Sequence, residues 1–293
     1  MVGSPADDDT PFVDTHVHLW DRRDHDLGYG WLDGDEFPFG DLVAVRTARF
    51  SVPELRAEGR LAGLTKVVHM SAAFGARDPV TETAWLQRLA DETGWPDAAV
   101  VTCDLTAPDA AEQLARHRAH RVFRGVREMG PAARFADPAF RRGYAELGRT
   151  GGLFFHTVGP ENVAAALDLV RSHPGTGFVL DQAGMPPDRT PETFEAWRTM
   201  LRALAAEPNT FCKVSSLGMV EPGWTPASRR PWVLAPIEAF GADRVFLGSN
   251  WPVERLYSSY TDVVQAFRYA IADLTAGERQ AVIAGTAERV FGI

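Results

Sequence analysis

Short β-branched runs alternate one for one with stretches of helical spacing along almost the whole chain, and the alternation repeats about eight times. Strands are expected at 13–19, 65–70, 98–105, 122–127, 152–158, 177–180, 210–214 and 244–247. Helical spacing falls between them at 81–89, after Pro108-Asp109, at 162–172, 191–206, 229–240 and 261–274, with a last helix from Ala276. Strands that alternate singly with helices build βαβ units and a parallel sheet. Eight units in 293 residues suit a single-domain (β/α)8 TIM barrel better than an open doubly wound sheet. No G-x-G-x-x-G follows any strand, so the usual dinucleotide-binding signature is missing.

Residues 1–11, with Asp7-Asp8-Asp9, read as a disordered lead-in to a barrel domain over 12–293. They lack the basic start and apolar stretch of a signal peptide, and no apolar run reaches the roughly 20 residues of a membrane span. Two cysteines outside any C-x-x-C pair, Cys103 and Cys212, fit a reduced compartment, so a cytoplasmic protein is expected. A net charge of −9 argues against nucleic-acid or anionic-membrane partners and leaves a small molecule as the expected one. Oligomeric state stays open, a homo-oligomer included. The longest irregular stretch, 21–50, carries Tyr29, Trp31, Phe37 and Phe39 directly after the first strand. In a barrel that placement predicts a lid over the mouth, with Trp31 against the substrate.

Barrel enzymes build their sites at the carboxyl ends of the strands. Those ends here carry His16 and His18; His69 and Ser71; Arg124 and Arg127; His156; Asp181 and Gln182; Lys213 and Ser215; then Ser249, Asn250 and Trp251. Residues two apart on a strand share a face, so His16 and His18 aim two imidazoles at one place. Lys213 and Ser215 share a face for the same reason. Arg124 and Arg127, three apart, face opposite ways if the strand is regular, which leaves one guanidinium to grip a carboxylate. Packing is the expected role of His69, and Trp251 is expected to wall the pocket.

The motifs V-D-T-H-V-H-L-W, R-G-V-R, D-x-x-G after strand six, K-V-S-S-L-G-M and G-S-N-W-P-V, in this order, resemble the amidohydrolase superfamily. The resemblance is to the amidohydrolase-related branch that contains lactonases and aminocarboxymuconate-semialdehyde-type decarboxylases, and it runs from about Phe12 to the C-terminus. It implies that His16 and His18 ligate a divalent metal, usually zinc, or bind substrate in metal-free members. It makes His156, on strand five, a further candidate ligand, and Arg124 or Arg127 the grip on a substrate carboxylate. Two positions depart from the pattern. Gln182 stands where a histidine is common, and Asn250 where a general-base aspartate is usual. An amide can orient a carbonyl or a water but cannot serve as a base near neutral pH.

The first expectation is therefore a hydrolase of a small cyclic ester, a lactone or pyrone-type carboxylate. Water would attack a carbonyl polarised by a metal or by His16 and His18, with Asp181, His156 or His18 as base. A lyase acting by decarboxylation or water elimination is the alternative suggested by His156, the missing carboxylate and the aromatic loop. A metal-free pocket protein that lost its base is the third.

Overall fold

All eight expected strands form in a computed structural model that describes residues 10–34 and 37–293. They are β1 (Phe12–Val17), β2 (Leu64–Met70), β3 (Ala98–Val101), β4 (Phe123–Glu128), β5 (Leu153–His156), β6 (Gly177–Leu180), β7 (Thr210–Val214) and β8 (Val245–Leu247). Each pairs in parallel with the next, from β1 through to β8. The helices form the outer layer, and the chain is a single-domain (β/α)8 barrel. The lead-in expected at 1–11 falls mostly outside the described residues; Thr10 is tied down, its carbonyl accepting from Arg268 Nη2 at 2.8 Å.

The seam between β1 and β8 closes at the top, beside the paired histidines. Val17 bridges to Trp251. The His18 N–H donates to the Trp251 carbonyl at 2.8 Å, and the Trp251 N–H donates to the His16 carbonyl at 3.2 Å. Below them the Thr15 hydroxyl donates to the Leu247 carbonyl at 2.6 Å. Gly248 lets the two strands approach this closely, because a Cβ there would stand 2.5 Å from the Cβ of His16. At the other end the barrel is plugged by Phe291 of the C-terminal helix, packed on Phe155 and Phe246.

Helix starts follow local chemistry. Helices α1 (Val52–Gly59), α2 (Val80–Thr93), α3 (Ala110–Arg118), α4 (Pro138–Arg149), α5 (Val163–Ser172), α6 (Pro191–Ala205), α7 (Pro226–Phe240) and α8 (Tyr260–Ile271) precede β2 to β8 and follow β8. Helices α1 and α4 are not expected from the spacing, and capping chemistry starts both. Ser51 and Glu54 form a capping box with Pro53 in the first turn, and Asp137 caps Ala139 just ahead of Pro138. Helix α7 begins three residues before the expected Arg229, because Thr225 caps it and Pro226 opens it.

The 21–50 segment leaves and rejoins the barrel through an antiparallel ribbon, Trp20–Asp21 against Arg49–Phe50. Beyond this neck it lies over the mouth, where it is pinned to loops that follow other strands. The Gly75 N–H donates to the Gly28 carbonyl at 3.1 Å, and the two glycines pack so tightly that a Cβ on Gly28 would meet Gly75 at 2.5 Å. The Trp31 indole N–H donates to the Ala72 carbonyl at 2.9 Å. On the far side the Tyr257 hydroxyl donates to the Phe39 carbonyl at 2.5 Å. The expected lid is a fastened cover. Among the described residues no helix is long and apolar enough to cross a membrane, and Cys103 and Cys212 are buried free thiols.

Candidate active site

A β-bulge aims the two histidines. Phe12 packs on Phe267 and Asp14 accepts from the Tyr260 hydroxyl, so the lower part of β1 faces helix α8. The β1–β2 register then slips between Asp14 and Val17, and the strand turns His16 and His18 into the barrel. Asp14 fastens this step. Its carboxylate accepts from the His16 and Ser249 N–H groups at 3.0 and 2.9 Å, from the Ser249 hydroxyl at 2.5 Å and from Tyr260 at 2.8 Å. Burial nevertheless leaves its pKa raised against those bonds.

The imidazoles meet edge to face, with the two Nε2 atoms 3.2 Å apart. His18 Nδ1 lies 2.9 Å from the Met70 carbonyl, and His16 Nδ1 lies 2.7 Å from Ser215 Oγ. Burial, then Arg127 and His69, push the His18 pKa down to about 3. Burial, Lys213, His18 and Arg127 hold His16 well below its usual range. Both rings are neutral at physiological pH.

Beside them lies a buried ionic cluster. Arg127 Nε donates to Asp181 Oδ2 at 2.7 Å, and Lys213 Nζ stands 2.7 Å from Asp181 Oδ1. Burial alone would raise the Asp181 carboxyl, but Lys213 and Arg127 overcome it and hold the group well below the carboxylate range. Burial depresses Lys213 to about 8, against the pull of Asp181. Two cations and one anion leave a net positive charge facing two neutral imidazoles. Asp181 is consumed by its cations and cannot double as a base.

The amides sit at the rim on strained backbone. Gln182 donates to Ser216 Oγ at 2.9 Å and accepts from the Thr157 hydroxyl at 3.3 Å. Asn250 Nδ2 donates to Met219 Sδ at 3.2 Å. Gln182, Ala183, Met185, Ser216 and Asn250 all have positive φ. Left-handed backbone costs a residue other than glycine on the order of 1–3 kcal/mol. Every non-glycine instance among the described residues lies just past β6, β7 or β8, at the mouth. Trp31 covers His18, their ring centroids 6.0 Å apart, and Trp251 stands against Tyr260.

Two expected residues stand elsewhere. Arg124 faces away from the mouth and spends its guanidinium on the carbonyls of Arg121, Phe123 and Phe291. His156 lies on the opposite face of β5 from the inward Phe155. Its ring packs on Phe135 and Phe154 in the helix layer, and Nε2 donates to the Gly130 carbonyl at 2.9 Å. Strand parity decides His156, since Arg127 and Phe155 are inward and register-paired; Arg124 instead sits in a register slip at the foot of β4, between Phe123 and Gly125, and is spent at the end opposite the mouth.

The supporting residues are His69, expected to pack, and two carboxylates that spacing left unassigned. His69 Nδ1 accepts from the Leu19 N–H at 3.2 Å, and its Nε2 faces Glu82 Oε1 at 3.2 Å. The same Glu82 oxygen accepts from the Ala72 and Ala73 N–H groups, fixing the loop on which Trp31 rests. Glu254 joins the last two loops of the mouth by accepting from Arg229 at 2.7 Å and from the Gly218 N–H at 3.1 Å. No sequence signal marks Glu82, between Thr81 and Thr83, or Glu254, between Val253 and Arg255; their burial, which demands partners, shows only in the fold.

The donors meet only part of what zinc requires. Two Nε2 atoms 3.2 Å apart suit one tetrahedral ion, for which Zn–N of about 2.0–2.1 Å gives roughly 3.3 Å between donors. A catalytic zinc takes three protein ligands. His156 faces the helix layer, Asp181 is held by two cations, and Asn250 offers an amide. Among the described residues no group of three His, Cys, Asp or Glu side chains is placed to hold a metal. The expected zinc set does not assemble.

The family model for amidohydrolases matches residues 13–293, and the chain belongs to that family. It is 32% identical to the protein y4mH of Sinorhizobium fredii, over 97% of this chain and 99% of that one. It is also 32% identical to L-fucono-1,5-lactonase of Burkholderia multivorans, over 96% of each chain. Among solved structures, an amidohydrolase from Burkholderia multivorans with bound zinc superposes with a TM-score of 0.82 at 30% identity, covering 97% of this chain and 99% of that one.

Proposed function

We propose that the protein hydrolyses a small lactone, adding water across the ring C–O bond to release a hydroxy acid. The observation that carries this reading is the net positive Arg127–Asp181–Lys213 cluster packed beside two neutral imidazoles. Ring opening develops negative charge on the carbonyl oxygen and leaves a carboxylate product. Fixed cations in a water-poor site stabilise both. Arg127 and Lys213 take that role here, Gln182 and Asn250 shape the rim, and Trp31 walls the ring, whereas Trp251, expected to do so, turns its ring to Tyr260 of helix α8. The lactonase relative, alike along nearly its full length, supports the same chemistry.

With the third zinc donor missing, the reading assigns carbonyl polarisation to the two cations. The lyase alternative rested on His156, the missing strand-eight carboxylate and the aromatic loop, and the position of His156 in the helix layer removes the first of these. The test is a panel of five- and six-membered sugar lactones and pyrone carboxylates at neutral pH, assayed by proton release with added zinc and with chelator. Turnover that survives the chelator is the expected result. A protein inert to the whole panel under both conditions overturns the proposal.

A further inference from the structure

The polarity of one hydrogen-bond chain is fixed from its end. Met70 offers a carbonyl, which only accepts, so His18 Nδ1 carries the proton of that 2.9 Å contact. A neutral His18 then presents a lone pair at Nε2. The 3.2 Å contact between the two Nε2 atoms needs one proton, and His16 must supply it. A neutral His16 with hydrogen on Nε2 has its lone pair on Nδ1, 2.7 Å from Ser215 Oγ. That contact is made only if the serine hydroxyl donates. Proton directions therefore run Ser215 to His16 to His18 to Met70.

We propose that Ser215 is a nucleophile of the lactone hydrolysis proposed above, with His16 as its base and His18 as the group that orients the base. A nucleophile hydrogen-bonded to a base that is itself held by a third group is the recurring arrangement for covalent catalysis. Ser215 lies just past β7, on the same face as Lys213, so a carbonyl attacked by its Oγ develops charge beside Lys213 and Arg127. Asn250 at the strand-eight position creates the need for such a route, since it cannot deprotonate a water.

In the first half of the reaction the Ser215 Oγ–carbonyl carbon bond forms while the hydroxyl proton passes to His16 Nδ1. The ring C–O bond then breaks, and the ring oxygen takes that proton. In the second half a water oxygen bonds to the carbonyl carbon and gives its proton to His16. The ester C–Oγ bond breaks, and Ser215 recovers the proton. Lactone and water are consumed, and one hydroxy acid is formed. The imidazolium of His16 exists only while the oxyanion does, so the two charges arise as a pair.

The test uses the purified full chain and the best lactone of the panel. Acid quenching during turnover is expected to show the protein heavier by one lactone, with the added mass mapped to Ser215 by peptide fragmentation. Ser215→Ala should lose the adduct and at least 10³-fold in kcat while melting with the wild type; Ser215→Cys should keep an adduct as a thioester. A folded Ser215→Ala enzyme within tenfold of wild-type kcat overturns the proposal and leaves the lactonase reading standing. If no lactone is turned over, that reading fails first, and a fluorophosphonate probe decides this one. Labelling of Ser215 that His16→Gln abolishes supports it, and no labelling overturns it.

Discussion

Gly248→Ala puts the geometry of the seam on trial. The new methyl carbon would stand 2.5 Å from His16 Cβ and 2.8 Å from the His16 backbone nitrogen. Carbon atoms rest at about 3.5–4.0 Å, so the end of β8 must retreat from β1 by about 1 Å. Overpacking of this kind costs about 1–3 kcal/mol. The retreat also stretches the bonds between Trp251 and the His16–His18 backbone and between Ser249 and Asp14, and losing one or two adds about 1–2 kcal/mol. Against this, alanine restricts the unfolded chain and returns about 0.4–1 kcal/mol. The net expectation is about 2–3 kcal/mol of destabilisation. With an unfolding entropy near 2.1 cal/mol/K per residue, a chain of 293 residues loses about 3–5 °C in Tm.

The effect on activity should exceed the effect on stability. His16 is carried by the strand that must give way, and a 1 Å displacement of a reacting group costs about 100-fold in rate. Differential scanning fluorimetry and steady-state kinetics on the same preparation read both quantities. Gly223→Ala is the control, because a Cβ there meets nothing within 4 Å; it should match the wild type in both. Gly248→Ala with wild-type Tm and wild-type kcat/KM would refute the claim that strand closure places the histidines.

Four further outcomes are expected. The Lys213 cation is lost as pH rises through about 8, so kcat/KM should fall on the alkaline side near that value, and Lys213→Arg should move the limb upward. With His18 held near 3, no acid limb should appear between about pH 5 and 7; a limb near 6.5 would contradict the neutral pair. Asp181→Asn leaves two buried cations without their anion and should cost about 3–5 kcal/mol by urea denaturation. Arg124→Ala and His156→Gln should each keep kcat/KM within about threefold, because neither side chain reaches the mouth; a hundredfold loss in either would restore it to the site.

The barrel was legible because its signal is redundant. Nearly every strand is a short run of β-branched or aromatic residues, and every crossover is long enough for a helix, so an error at one boundary is corrected by its neighbours. The site was legible only as a set of strand ends. Spacing places His16 and His18 on one face, and the fold keeps them there, but the face they share is chosen by a bulge that leaves no mark on the periodicity of β1. The same kind of choice separates Arg127 from Arg124 and turns His156 outward. One residue of register reverses a side chain, and motif order does not carry register. The second hidden layer is the set of buried charges. Asp14, Glu82 and Glu254 each stand at a position that burial makes costly without donors. Their partners lie 235, 10 and 36 residues away, on Ser249, Ala72 and Gly218. Closing the barrel is what brings most of those partners together. The consequence is that the seam and the chemistry cannot be separated: the contacts that join β8 to β1 also hold His16 against Ser215.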